Sequence, residues 1–406
     1  MAPVPQPRPV ALTVAKYMLK ARESMRFEDD ADSLQYIRFG YFGEIGGLLS
    51  SVKKAGRDRL QAAQNDLAAE ELGDALWYLT IAAHLLKIPA DALGEHCILV
   101  LRDEFGESKK APAPPITFRQ IDGLIETQRD EDTIPRPTQL GKLALSAGVL
   151  AEMSHASLVS MAPPKREAYF GQLLSELAKT CSSFNLNLED VALGNLEKTA
   201  SRWPSDQKRE FPLFDEGFPE HEQFEREFTI EFIERGEGQT KHVVQRLNGV
   251  YIGDRLTDNS NEPDDYRFHD VFHLAYVAYL GWSPVLRALL KRKRKSAPAK
   301  DENDDGARAA IIEEGIATWI FDHAKKYDYY AATQPGRLDY GLLKQIQGMV
   351  RGYEVERCKL WQWELAIIEG FRMFRELREH RGGSVVVNIT EGTLTFHKPL
   401  KEAYTQ

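Results

Sequence analysis

Apolar residues recur every three or four positions through most of the first half of the chain, as in Ala75, Leu76, Leu79, Ala82, Ala83 and Leu86. That spacing lays a continuous stripe along one face of an α-helix. Helices patterned in this way must bury their stripes against one another, so packed helices are expected from Val10 to Phe105. The run Lys109-Lys110-Ala111-Pro112-Ala113-Pro114-Pro115 breaks the pattern, because proline lacks the amide proton that a helix interior needs. A second helical block is expected from Pro137 to Trp203, closed by Pro204.

Beyond residue 205 the pattern changes. Phe228–Ile233 and Lys241–Leu247 read as short strands, with turns at Asn248-Gly249 and Gly253-Asp254. Three further helices are expected, over Tyr266–Lys291, Ala307–Lys326 and Tyr340–His380. A hairpin should close the chain: Ser384–Thr390, a turn at Glu391-Gly392, then Thr393–His397. The expected fold class is mainly α, an all-α N-terminal part built as a tandem repeat followed by an α+β domain with a few short strands. The expected divisions are 1–108, a linker at 109–136, 137–204 and 205–406.

A formal net charge of −9 argues against general nucleic-acid binding. No stretch approaches the ~20 uninterrupted apolar residues that a membrane helix requires. Met1–Pro9 lacks the apolar centre of a signal peptide. Cys97, Cys181 and Cys358 lie far apart and form no CxxC pair, which suits a reducing compartment. The expected location is the cytoplasm.

Carboxylates mark the first candidate site. Glu44 precedes an apolar helix that ends at Lys53-Lys54, and the next helix carries Glu71 and Asp74 three residues apart. Side chains at that spacing leave a helix from one face, here beside the stripe of Ala75 and Leu79. Unpaired carboxylates next to a core are costly, and a divalent cation is a common resolution. Magnesium prefers hard oxygen ligands, so carboxylates from two facing helices suit it.

The run Glu70-Glu71-Leu72-Gly73-Asp74-Ala75-Leu76-Trp77-Tyr78-Leu79 resembles the second half of the signature of MazG-like nucleotide pyrophosphohydrolases. That signature is EExxE on one helix and ExxD on the next; here 23 residues separate Gly47 from Glu71. The resemblance implies a four-helix module in which Glu44, Glu71 and Asp74 hold Mg²⁺, or Mn²⁺ in its place. The ion would activate water against the phosphate chain of an NTP or dNTP, releasing the monophosphate and pyrophosphate. Lys53, Lys54 and Arg308 are the candidate contacts to the substrate. The first half-motif departs from the family, because Gly43-Glu44-Ile45-Gly46-Gly47 keeps one acidic position of three. A carboxylate restored at Gly47 is therefore expected to strengthen Mg²⁺ binding.

A shift of 105 residues places Gly43 on Gly148 and Glu71 on Glu176, which makes 137–204 a second, degenerate copy. In that register Val149 replaces Glu44, Lys179 replaces Asp74, and Glu152 stands where the first copy has Gly47. MazG-like modules commonly pair, so the resemblance implies an intrachain pseudo-dimer or a homo-oligomer. The second copy is then a structural partner, with Glu152 as a candidate for a composite site.

In the C-terminal half, His269, Asp270 and His273 share one helix and Glu313 and Glu314 another. Histidines at i, i+4 can face one ligand, so these five are candidate metal ligands, with His273 and Glu314 also candidate catalytic groups. A polar seam in which they satisfy one another is the competing reading. The stretch from Asn248 to Glu314 resembles a domain found behind some MazG-like modules. Lys291–Lys295 and the acidic Asp301–Asp305 read as an exposed, flexible loop with solvated charges; phosphate binding is the other reading of its basic run. The expected function is Mg²⁺-dependent hydrolysis of nucleoside triphosphates. The alternative is a nucleotide-sensing module that regulates a catalytic or ligand-binding C-terminal domain.

Overall fold

The computed structural model describes residues 10–27, 30–58, 64–108, 110–128, 134–204, 207 and 211–399. The chain divides into two compact units, Met1–Ser205 and Asp206–Gln406.

Unit 1 is helical: α1 (Val14–Glu23), α2 (Ala31–Asp58), α3 (Gln64–Leu85), α4 (Ala90–Glu104), α5 (Phe118–Glu126), α6 (Arg136–Glu152), α7 (His155–Ser160), α8 (Pro163–Ser183) and α9 (Leu188–Arg202). Local chemistry sets several helix starts. The Thr13 hydroxyl accepts the Lys16 amide at 3.0 Å, opening α1. Thr117 and Gln120 form a capping box at the start of α5. That helix lies in the stretch expected as a linker, and its Phe118 and Ile121 are buried. The start of α9 is held from a distance: the Asp122 carboxylate accepts the Leu188 and Glu189 amides at 2.8 and 3.0 Å.

Helices α2 and α3 pack closely because α2 carries glycines where α3 presents bulk. A Cβ at Gly40 would lie 2.3 Å from Tyr78 Cε1, and one at Gly47 would lie 2.4 Å from Glu71 Oε2. Helix α6 packs on α2 and α8, and α8 also meets α3 and α4. The apolar stripes of these helices merge into one core that includes Leu48, Leu72, Leu76, Leu79, Leu143, Leu174 and Leu177.

Unit 2 combines a sheet with helices. Its strands are β1 (Glu227–Arg235), β2 (His242–Leu247), β3 (Val250–Leu256), β4 (Gly382–Asn388) and β5 (Thr393–His397), and its helices are α10 (Asp270–Leu280), α11 (Pro284–Leu289), α12 (Pro298–Asn303), α13 (Ala307–Ala324), α14 (Tyr340–Met349) and α15 (Leu360–His380). The sheet order is β3-β2-β1-β4-β5, antiparallel throughout. Phe228, Ile230 and Phe232 alternate inward along β1, and α10 and α15 pack against the sheet. Asn248 and Gly249 take φ of 50° and 80° in the β2–β3 turn, as a tight hairpin demands. No helix among the described residues is long and apolar enough to cross a membrane.

Four local expectations are corrected. The helix expected over Tyr340–His380 is two helices, α14 and α15, parted by a segment in which Gly352 takes φ of 86°. Gly253-Asp254 is not a turn but lies inside β3. The helix expected over Tyr266–Lys291 breaks after α10, where Gly281 takes φ of 70° and the Ser283 hydroxyl starts α11 by accepting the Leu286 amide at 3.0 Å. The charged stretch 291–305 is solvated only in part. Lys291, Lys295 and Glu302 are exposed, but Arg294 is fully buried, its guanidinium bound to Asp305 at 2.6 Å and to Glu354 at 2.6 Å.

Candidate functional site

In unit 1 the sequence-expected carboxylates converge from α2 and α3. Glu44 and Glu71 share a hydrogen bond, which two carboxyl groups can do only when one keeps a proton. Burial, the Asp74 charge and that bond push the Glu44 carboxyl up to about 8. Asp74 accepts from Asn195 Nδ2 at 3.0 Å and pairs with Lys198 Nζ. Lys198 also reaches Glu70 at 3.2 Å. Asn195 is held in turn by the Tyr17 hydroxyl, which donates to its Oδ1 at 2.8 Å. The sequence does not mark Asn195 and Lys198 as site residues. Their i, i+3 spacing on α9 was visible, but the carboxylates they meet were not.

Gly47 has a different role from the one expected. The Glu71 carboxylate occupies the space over its Cα, so a side chain there must displace the group it was meant to assist. Gly47→Glu is therefore expected to weaken Mg²⁺ binding. Gly47→Ala is the cleaner probe, because alanine improves helix propensity by about 1 kcal/mol while still displacing Glu71. The helix should persist by circular dichroism, while any affinity of the carboxylate cluster for Mg²⁺, measured by calorimetry, falls by about 10–100-fold, the usual scale for disturbing a ligand's support. An unchanged binding isotherm would show that the Glu71 position is immaterial.

The other candidates for substrate contact in the sequence are basic. Lys53 and Lys54 are exposed near the end of α2; Lys53, nine residues after Glu44, is about half a turn out of phase with it. Arg308 is exposed on the first turn of α13. Lys179, expected at the counterpart of Asp74, bonds Glu176 at 2.9 Å and Glu104 at 2.7 Å. Glu152 is the last residue of α6.

In unit 2, His269, Asp270 and His273 stand at the start of α10, and Glu313 and Glu314 on α13. His273 Nδ1 lies 2.8 Å from Glu313 Oε1, both side chains fully buried. Glu313 Oε2 accepts the Val285 amide at 2.9 Å. Burial alone would lower the His273 pKa, but Glu313 and Glu314 outweigh it and hold the imidazole well above its usual range. Burial would raise the Glu314 carboxyl, yet its contact with His273 and the charges of both histidines draw it below the usual value.

His269 Nδ1 faces the Tyr266 carbonyl at 2.9 Å. Its ring stacks on Tyr266 with centroids 4.2 Å apart. Its Nε2 is 3.1 Å from Asp270 Oδ1 and 3.9 Å from Glu314 Oε2. Asp270 Oδ2 accepts from Gln245 of β2 at 2.5 Å. His273 Nε2 lies 3.4 Å from Glu314 Oε1 and makes no hydrogen bond. Ligand atoms of His269, His273 and Glu314 all fall within 4.8 Å of one another.

Residues 209–400 match the family model of the MazG C-terminal domain. Unit 2 is therefore similar to that domain, in line with the resemblance of the stretch from Asn248 to Glu314. The Gene 37 protein of Mycobacterium phage L5 is 38% identical over 64 residues, a segment covering 15% of this chain and 55% of that protein. The chain thus spans about half the length of that relative. No solved structure matches.

Proposed function

We propose that unit 1 is a Mg²⁺-dependent nucleotide pyrophosphohydrolase that converts NTPs or dNTPs to monophosphate and pyrophosphate. One observation carries this reading: Glu44 and Glu71, from facing helices, are hydrogen-bonded to each other beside Asp74, and burial with the Asp74 charge pushes the Glu44 carboxyl up to about 8. Crowded carboxylates that must keep a proton in the apo protein suit a hard divalent cation, which would replace the proton and favour all-oxygen ligation. The donor set fits Mg²⁺, and Mn²⁺ would serve in its place. Glu44, Glu71 and Asp74 would hold the ion, which supplies an activated water and neutralises phosphate charge. Asn195 and Lys198 fix the Asp74 carboxylate toward the cluster. The MazG relationship of unit 2 supports a nucleotide as substrate.

Pyrophosphate release from a panel of NTPs and dNTPs tests the reading. We expect turnover with Mg²⁺ or Mn²⁺ and none with excess chelator. Calorimetric binding of nucleotide without any turnover would overturn it in favour of nucleotide sensing.

A further inference from the structure

We propose that unit 2 holds a divalent first-row transition-metal ion on His269 Nε2, His273 Nε2 and Glu314, a site separate from the carboxylates of unit 1. The two histidines are already oriented for ligation. The Tyr266 carbonyl can only accept, so His269 Nδ1 must carry a proton in the 2.9 Å contact, and Nε2, 3.1 Å from Asp270 Oδ1, is the nitrogen left to ligate. His273 is arranged likewise: its Nδ1 faces Glu313 at 2.8 Å, and the Val285 amide fixes Glu313 from behind. A carboxylate or carbonyl behind each imidazole is the usual outer support of a metal-bound histidine.

His273 Nε2 supplies an independent sign of a missing ligand. It is a completely buried polar atom without a hydrogen-bond partner, aimed at Glu314 Oε1 3.4 Å away. An imidazolium this close to a carboxylate without a well-formed hydrogen bond is poorly satisfied, whereas a metal bound between the two groups would displace its Nε2 proton and satisfy both. For bonds of ~2.0–2.2 Å, ligand atoms around one ion are separated by roughly 3.0–3.5 Å. The 3.4 Å and 3.9 Å contacts from the histidines to Glu314 are near that range, and the three ligand atoms, all within 4.8 Å of one another, must draw together around the ion.

The donors select the class of ion. Two imidazoles and one carboxylate suit zinc, iron(II), cobalt(II) or manganese(II), while magnesium strongly prefers oxygen. Two histidines one turn apart on α10 and a carboxylate from α13 leave the rest of the coordination sphere to water or to a substrate oxygen. Glu314, with its side chain 43% exposed, marks the solvent side.

The test uses the full-length chain, stripped with chelator and titrated with Zn²⁺ or Co²⁺ in excess Mg²⁺. We expect about one equivalent retained after desalting, with a raised Tm for the loaded protein. Glu314→Gln and His269→Asn should each bind at least about 100-fold more weakly, and Co²⁺ should lose its tetrahedral-type absorption. Glu314 is half-exposed, so its variant should fold even if a His273 variant does not. Glu71→Gln should retain the metal, which separates failure of this site from failure of the unit 1 reading. Equal retention in wild type, Glu314→Gln and His269→Asn, or no retention in wild type, would overturn the proposal.

Discussion

Glu71→Gln should lower pyrophosphate release by about 10²–10⁴-fold with little change in stability. Glutamine keeps the volume and one oxygen of the half-buried side chain but removes the negative charge. Metal ligation in a hydrolase supplies several kcal/mol of transition-state stabilisation, and each ~1.4 kcal/mol is tenfold in rate. Removing the charge also lifts the pressure that holds a proton on Glu44, so the apo helices should pack at least as well. Asp74→Asn should lose activity comparably. Its structural cost is limited because Lys198 retains Glu70 at 3.2 Å. Steady-state turnover and thermal melting of both variants check this. Wild-type turnover in both would move the chemistry out of unit 1.

The second large effect is on stability. Arg294→Met should destabilise unit 2 by about 3 kcal/mol, within the ~3–5 kcal/mol typical of breaking a buried ion pair. Arg294 and Asp305 are 0% exposed and Glu354 6%, so the carboxylates cannot turn to water. Methionine fills much of the volume, and therefore the loss is mainly electrostatic. Two neighbours soften it: Arg287 lies 3.5 Å from Asp305, and Lys300 bonds Glu354 at 2.9 Å. Urea denaturation followed by circular dichroism measures the change. A loss below about 1 kcal/mol would show that these neighbours compensate fully. Phosphate binding should be unaffected, because a guanidinium with no exposed surface has nothing to offer a ligand.

Much of the secondary structure was legible in the residues. The spacing of Leu72, Leu76 and Leu79 places them on the buried face of α3, and the alternation of Phe228, Ile230 and Phe232 places them on the inner face of β1. Asn248-Gly249 specified its hairpin, because few other residue pairs accept positive φ twice in succession. In each case the deciding neighbours lie within a few positions along the chain. Steric preference and hydrophobic period act over that range, so sequence alone determines them.

The sites depended on contacts of another kind. The chemistry of Glu71, Asp74, His269, His273 and Glu314 could be suspected from residue type and spacing. Their partners could not. Lys198 meets Asp74 across 124 positions, and His273 meets Glu313 across 40. Arg294 illustrates the same limit: five basic residues in a row look solvated until Asp305 and Glu354 are brought around one of them. Gly47 looked like a lost ligand until α3 laid the Glu71 carboxylate across it. A charged side chain is tolerated in the interior only where opposite charge and hydrogen bonds converge. That convergence is a property of packed helices, and only the tertiary structure decided which charges are buried, which are paired and which two histidine nitrogens point at one carboxylate.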